Sequence, residues 1–180
     1  MVETRRGGTV LLVDRDSSEA RAAVSYLREK GYDAVWVEDG EKAYNRLDSE
    51  PVDAVVTDLN APRIDGMRLM AVAKDRNPDT VVVLITEEPD VERAVEAMRQ
   101  GAHDFQTKPI NLGKLDAVLQ RGLGEQQLVL QQTELRRRLD ERFGLGALIG
   151  QSRQMIKVYD AVRQCAPAKA TVLIHGETGT

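Results

Sequence analysis

Asp58 follows the apolar run Ala54-Val55-Val56-Thr57 and opens the segment Asp58-Leu59-Asn60-Ala61-Pro62-Arg63-Ile64-Asp65-Gly66. A carboxylate there stands at the C-terminal end of a buried strand, the edge at which open α/β sheets bind ligands and do chemistry. Two more sets of residues point to the same edge. Asp14 and Asp16 come just after Val10-Leu11-Leu12-Val13, and Lys108-Pro109 comes just after Phe105-Gln106-Thr107. Carboxylates, a lysine and the hydroxyl of Thr86 at the ends of separate strands suit a phosphoryl group and a divalent metal. The metal and the ammonium would offset the negative charge that such a site concentrates.

The elements that must position these residues alternate along the first part of the chain. Thr9–Val13 is a continuous apolar run, as a strand buried on both faces requires. Ser17 and Ser18 can cap a helix that runs to about Lys30 and ends at Gly31. Asp33–Val37 is a second strand, and Glu41–Asp48 a short helix stopped before Pro51. Asp53–Thr57 is a third strand, followed by a helix over Met67–Arg76 that Asn77-Pro78 ends. Val81–Ile85 is the most strand-like run, Val91–Gln100 a helix closed by Gly101, Asp104–Thr107 a short last strand, and a helix begins at Leu112. Strict alternation implies a parallel sheet with helices on both faces. A flavodoxin-like order places the ligand crevice beside the first and third strands. Those strands end at Asp14 and Asp58.

Composition narrows the class. The 180 residues are 42% apolar and 30% charged, ordinary for a water-soluble globular protein, with room for one domain and part of another. No apolar stretch approaches the ~18 residues that span a bilayer, and Met1 to Gly8 does not resemble a signal peptide. A single cysteine, Cys165, excludes an internal disulfide, fits a reducing cytosol, and is expected in a core. Residues 1–120 hold 16 Lys and Arg against 23 Asp and Glu, a net of −7, whereas residues 121–180 carry +3. So acidic a first part argues against direct nucleic-acid contact. Arg136-Arg137-Arg138 is short enough to be a solvated helix face.

The last helix carries a leucine-rich stripe, Leu115, Val118, Leu119, Leu123, Leu128, Leu135 and Leu139. Gly122 and Gly124 interrupt it, so a break or a frayed turn is expected there. A dimerising helix and a single amphipathic linker are both compatible with this spacing. Beyond Gly144 and Gly146 a helix over Arg153–Gln164 and a strand over Thr171–His175 are expected. The strand runs into Gly176-Glu177-Thr178-Gly179-Thr180. Gly176 fits the first position of a phosphate-binding loop, whose second glycine and lysine would fall beyond Thr180. Neither a bound nucleotide nor its hydrolysis is therefore expected of these 180 residues.

Two resemblances gather these motifs. Residues 9 to about 122 resemble a response-regulator receiver domain, which is α/β with a CheY-like (flavodoxin-like), doubly wound, five-stranded parallel sheet. Leu148-Ile149-Gly150-Gln151-Ser152, Met155 and Thr171–Thr180 resemble the start of the AAA+ ATPase of sigma-54-dependent activators. The order is that of NtrC-type regulators. It implies a receiver over 1–122, a helical linker over 123–146 that could dimerise, and an AAA+ fragment over 147–180 that ends inside Walker A. It also implies a bacterial, cytoplasmic two-component regulator of transcription that is not itself an enzyme over this span. Its partners would be a histidine kinase and a second copy of itself, with no membrane partner. In the parent protein they would include its own ATPase, a DNA-binding domain and the sigma-54 RNA polymerase.

The receiver resemblance assigns roles by position. Asp58 matches the phosphoacceptor, Thr86 the switch hydroxyl, Phe105 the aromatic switch residue, Lys108 the lysine that pairs with the acyl phosphate, and Pro109 the cis proline after it. Asn60 matches the residue whose backbone carbonyl binds metal, and Asp14 the first of two adjacent acids. No residue is assigned as catalytic. The second acid of the pair is replaced by Arg15, which cannot ligate Mg²⁺ and repels it; Asp16 follows, without being an obvious substitute. Glu87 occupies a position that is usually small. Mg²⁺ binding is expected but weakened. Arg15 could pair with Glu87 across the pocket mouth, or lie against Asp58 and imitate the metal's charge. Two functions stay open: a phosphorylation switch, or an interaction module independent of phosphorylation. Thr86 and Phe105 also suit plain strand packing. His103 and His175 lack ligand spacing, and Trp36 is expected to pack at the second strand.

Overall fold

The computed structural model describes residues 7–142, with side chains over 7–135, and isolated positions between 155 and 173. The elements are β1 (Thr9–Val13), α1 (Ser17–Glu29), β2 (Asp33–Val37), α2 (Gly40–Ser49), β3 (Ala54–Asp58), α3 (Gly66–Arg76), β4 (Val81–Thr86), α4 (Val91–Arg99), β5 (Asp104–Thr107) and α5 (Leu112–Arg142). The five strands pair in parallel in the order β2-β1-β3-β4-β5. This is the CheY-like doubly wound sheet, and its strand order reverses between β1 and β3.

Alternation along the strands divides the core in two. Val10, Leu12, Val56, Val83 and Ile85 pack with Ala20, Leu27, Leu115 and Leu119 of α1 and α5. Leu11, Val13, Val55, Val82 and Leu84 pack with Leu47, Leu69, Met70 and Ala97 of α2, α3 and α4. Each fully buried aliphatic side chain contributes roughly 1.5–3 kcal/mol, so the central strands carry much of the stability. By contrast α4 contributes one buried residue, Ala97, while its Val91, Val95 and Met98 are exposed.

Two local expectations change. The cap of α1 is Asp16 rather than Ser17 or Ser18: its carboxylate accepts from the Ser18 and Glu19 amides and from the Ser18 hydroxyl. A charged acceptor also meets the positive end of the helix dipole, which a serine hydroxyl does not. The α5 helix runs without a break through Gly122 and Gly124. Packing overrides their poor helix propensity. A β-carbon at Gly122 would lie 2.5 Å from Val81 Cγ2, so the bare backbone is what lets the helix rest on β4. Four residues on, the Gln126 amide donates to the carbonyls of Asp53 and Asp79 at the opposite end of the sheet from Asp58. The leucine stripe accordingly divides. Leu115 and Leu119 are buried, Val118 and Leu123 partly so, and Leu128 and Leu135 are exposed.

The chain divides into two compact units, Met1–Leu128 and Val129–Thr180. In the second, Met155, Lys157, Val158, Ala161 and Val162 are helical, as expected. Cys165, expected in a core, is exposed; it stands at the end of that helix, next to a turn residue. Thr171 and Leu173, expected in a strand, are exposed and outside any strand. The Gly176–Thr180 loop, the side chains of Arg136–Arg138 and Leu139, and most of 147–180 lie outside the described residues. Among the described residues, no helix is long and apolar enough to cross a membrane.

Candidate active site at the sheet's C-terminal edge

Parallel strands end at one edge, so residues far apart in sequence converge there. Asp58 closes β3 and is buried, as is Asp14 just after β1. Lys108, just after β5, reaches both: its ammonium lies 2.8 Å from Asp14 Oδ1 and 3.0 Å from Asp58 Oδ2. Burial pulls the ammonium's pKa down, but the hydrogen bonds it donates to Asp14 and Asp58 and the charges of those carboxylates outweigh it, so the pKa stands above the ordinary lysine value.

The backbone around the site is tightly tied. The Asn60 amide donates to Asp58 Oδ1 at 2.8 Å. Gly66 begins α3 directly beneath: its amide donates to the Leu59 carbonyl, and a β-carbon there would come within 2.7 Å of the Asp58 carbonyl oxygen. The Lys108 amide donates to the Thr86 carbonyl, and the Ile110 amide donates to the Glu19 carboxylate of α1. These bonds hold the chain on either side of Lys108-Pro109, whose peptide bond is cis.

Thr86 is buried at the end of β4, and its hydroxyl accepts from the Glu88 amide at 3.3 Å. In β4 and β5 the register pairs Leu84 with Phe105 and Thr86 with Thr107. Thr86 therefore falls on the same sheet face as Leu84 and Phe105, the face covered by α3 and α4. The structure thus brings Asp14 and Asp58 each into contact with Lys108, with Asn60 beside Asp58, and sets Thr86 and Phe105 on one face of neighbouring strands.

Other expectations are revised by the geometry. Asp16 is spent on capping α1, and its pKa is lowered first by the Ser18 hydroxyl and then by the Ser18 amide. Arg15 is exposed and makes no hydrogen bond or ion pair among the described residues, and the same holds for Glu87. The Arg15–Glu87 pair is not formed, nor does Arg15 lie against Asp58. Lys108 already supplies the cation at Asp58. Glu87 lines the rim of an open depression with Asp16, Glu19, Lys108 and Pro109.

A divalent metal can be tested against this donor set. Among the described residues no group of three or more acidic, His or Cys side chains is arranged to hold one. Yet Asp14 Oδ2 is buried without a hydrogen-bond partner, an acceptor that a cation could engage. Two carboxylates, Asp14 and Asp58, and the Asn60 carbonyl fit a Mg²⁺ ion that keeps several waters.

Three contributors were not foreseen in these roles. The Trp36 indole donates to the Asp14 backbone carbonyl at 2.7 Å. Glu19 anchors the segment after Lys108. Arg93 of α4 reaches the Asn60 side chain at 3.4 Å. Each depends on which elements are neighbours, and local sequence carries no such signal.

Comparison with known proteins gives the family. Residues 10–120 match the model of the response regulator receiver domain. The C4-dicarboxylate transport transcriptional regulatory protein DctD of Pseudomonas aeruginosa is 37% identical over 171 residues, covering 94% of this chain and 37% of that protein. The DNA-binding transcriptional regulator NtrC of Salmonella typhimurium is 28% identical over 173 residues, 96% of this chain and 36% of that protein. The chain thus spans a little over a third of the length of these curated relatives. Among solved structures, the beryllofluoride-activated NtrC4 receiver domain dimer superposes with a TM-score of 0.62 at 27% identity, covering 65% of this chain and 97% of that one. NtrX from Brucella abortus, in complex with ADP, superposes with a TM-score of 0.64 at 26% identity, covering 89% of this chain and 34% of that one. The clustered Asp14, Asp58 and Lys108 fall within the stretch that the family model matches, and the chain belongs to the response regulator receiver domain family.

Proposed function

We propose that this receiver accepts a phosphoryl group on Asp58 and thereby controls a sigma-54-dependent activator ATPase in the cytoplasm of a bacterium. The observation that carries the reading is the Lys108 ammonium between Asp58 and Asp14, beside a buried carboxylate oxygen that has no partner. In the transfer, an Asp58 carboxylate oxygen attacks phosphorus. The bond from phosphorus to the kinase histidine nitrogen, or to the oxygen of a small phosphodonor, breaks as the new P–O bond forms. The leaving group takes up the electron pair. Lys108 offsets the charge that arrives, while the Asn60 amide holds the Asp58 carboxylate through Oδ1 and the Gly66 amide, bonded to the Leu59 carbonyl, holds the chain just after it. A divalent cation held by Asp14, Asp58 and the Asn60 carbonyl would neutralise phosphoryl oxygens and help to orient them.

Output would run through the face of Thr86 and Phe105. A phosphoryl group on Asp58 offers acceptors to the Thr86 hydroxyl, whose present bond to the Glu88 amide is long. Movement of Thr86 would open room for Phe105 and shift α4, which is tethered by one buried residue. The exposed Val91, Val95 and Met98 of α4 and Leu128 and Leu135 of α5 then become the surfaces through which two copies pair. The test is mass spectrometry after incubation with acetyl phosphate and Mg²⁺. One phosphoryl group is expected on wild type and none on Asp58→Asn; an unmodified wild type ends the reading.

A second reading has its own observation. With Arg15 in the acidic pair and Asp16 committed to a helix cap, two acidic side chains face the site instead of three. That favours a module whose output is set by a protein partner instead of phosphorylation. Failure of both acetyl phosphate and Mg²⁺ to act on wild type would select it.

A further inference from the structure

We propose that Trp36 is a positioning residue of the phosphoryl site, acting through Asp14. The inference rests on the phosphoacceptor reading above. The chain has one tryptophan. It sits on the edge strand β2 opposite Leu12 of β1, and its indole extends past the strand end to the Asp14 carbonyl, 2.7 Å away. The Arg21 guanidinium of α1 lies over the ring, 5.8 Å from its centre, and the ring packs against the core between the sheet and α1. The indole is therefore fixed on one side by the sheet and on the other by a helix.

Asp14 is held at each of its polar groups but one. Its amide donates to the Val37 carbonyl at 3.2 Å. Its carbonyl takes the indole N–H. Its Oδ1 accepts from the Asp16 amide and from Lys108. What remains is Oδ2, buried and without a partner. The peptide plane between Asp14 and Arg15 is thus set by Trp36. That plane sets the course of the chain through Arg15, which departs to solvent, to Asp16, whose amide holds Asp14 Oδ1 and so helps to orient the free carboxylate oxygen. In a site short of one carboxylate, the remaining ligand must be well oriented, and outer hydrogen-bond partners of metal ligands supply that orientation. Were the bond absent, the Asp14–Arg15 peptide could rotate and bring the guanidinium toward the acidic pair.

The geometry makes Trp36 a reporter as well. A cation at Asp14 Oδ2 would polarise the peptide whose carbonyl the indole touches. The experiment uses the 180-residue chain and MgCl₂, with tryptophan fluorescence and thermal melting followed in parallel. The expected result is a saturable fluorescence change in wild type at the concentrations that raise the melting temperature. Asp14→Asn, which keeps Trp36, should lose the change. Trp36→Phe keeps an aromatic ring and removes the donor, and should need about tenfold more Mg²⁺ for the same melting gain. Before any cation is added, the single indole proton should exchange slowly with solvent, a readout that survives if Trp36→Phe fails to fold. A melting gain in wild type without a fluorescence change overturns the role of Trp36 and leaves the phosphoacceptor reading standing. So does wild-type Mg²⁺ dependence in Trp36→Phe, or a rapidly exchanging indole proton. A wild type whose melting temperature ignores Mg²⁺, and which acetyl phosphate does not modify, overturns both.

Discussion

Gly122 lies so close to Val81 that a β-carbon added to it would come within 2.5 Å of one valine methyl and 3.1 Å of the other. Val81 is buried in β4 and its branched side chain has no free direction in which to turn. Gly122→Ala should therefore lower stability by roughly 1–3 kcal/mol through overpacking, even though alanine is the better helix former. Gly124, by contrast, meets nothing within 4 Å, and Gly124→Ala should stabilise by up to about 1 kcal/mol. Urea denaturation of the two variants checks the pair of opposite signs. Val81→Ala should offset the loss in Gly122→Ala, a coupling that a double-mutant cycle would expose.

Removing the ammonium from the site tests its electrostatics. In Lys108→Ala, two buried carboxylates would face each other uncompensated, at a cost of about 3 kcal/mol. Mg²⁺ should then stabilise the variant more than wild type, since a cation binding only the folded form recovers up to about 2.7 kcal/mol at a hundred times its dissociation constant. Thermal melts of both proteins with and without Mg²⁺ make the comparison. Equal stability of Lys108→Ala and wild type without Mg²⁺ would show that the carboxylates do not need a cation.

Arg15 and Asp16 are adjacent but should behave differently. Arg15→Asp adds a carboxylate beside Asp14 and removes a positive charge, so Mg²⁺ affinity should rise. The extra acid should also cost stability in the absence of the ion, through like-charge repulsion. Asp16→Ala should lose about 1 kcal/mol with its helix cap and leave Mg²⁺ affinity unchanged. Calorimetric titration reads both. A metal affinity that falls sharply in Asp16→Ala would put its carboxylate in the site after all.

His103 gives the unit an acid-sensitive joint. Its Nδ1 accepts from the Val82 amide at 3.2 Å, so protonation there breaks a bond between the start of β5 and β4. Burial depresses its pKa, Lys74 and Arg121 press in the same direction, and Glu125 opposes them. Because the folded pKa lies below the unfolded one, the stabilisation is complete above about pH 6.5 and is lost as pH falls from there through the folded pKa. Urea midpoints measured from about pH 7.5 to 4.5 should decline in that window for wild type. They should decline less for His103→Asn, whose amide oxygen accepts the same bond without titrating.

Much of this architecture was legible in the chain because its signals are repeated. Buried parallel strands show as apolar runs, and Val10–Val13, Ala54–Thr57 and Val81–Ile85 mark the sheet centre without ambiguity. Given that topology, Asp14, Asp58 and Lys108 had to share an edge. What stayed hidden depends on contacts between elements. The link from Trp36 to Asp14 arises because β2 pairs with β1 in one register, and a one-residue slip would remove it. Gly122 looks like a helix breaker by propensity, and only its approach to Val81 explains it. The cap of α1 fell to Asp16 instead of Ser17 or Ser18, because a carboxylate that accepts from two amides and meets the helix dipole outdoes a hydroxyl.

The sheet order has a consequence for how copies of this chain can meet. Both outer strands are short, five residues in β2 and four in β5. Asp33 opens β2 exposed to solvent, and β5 is bounded by the Lys114–Asp104 ion pair at one end and by Lys108-Pro109 at the other. Short, charged, proline-ended margins discourage a second sheet from adding on. Strand addition and its fibrous continuation are thereby disfavoured, and any pairing of two copies is left to helical surfaces, which can come apart again.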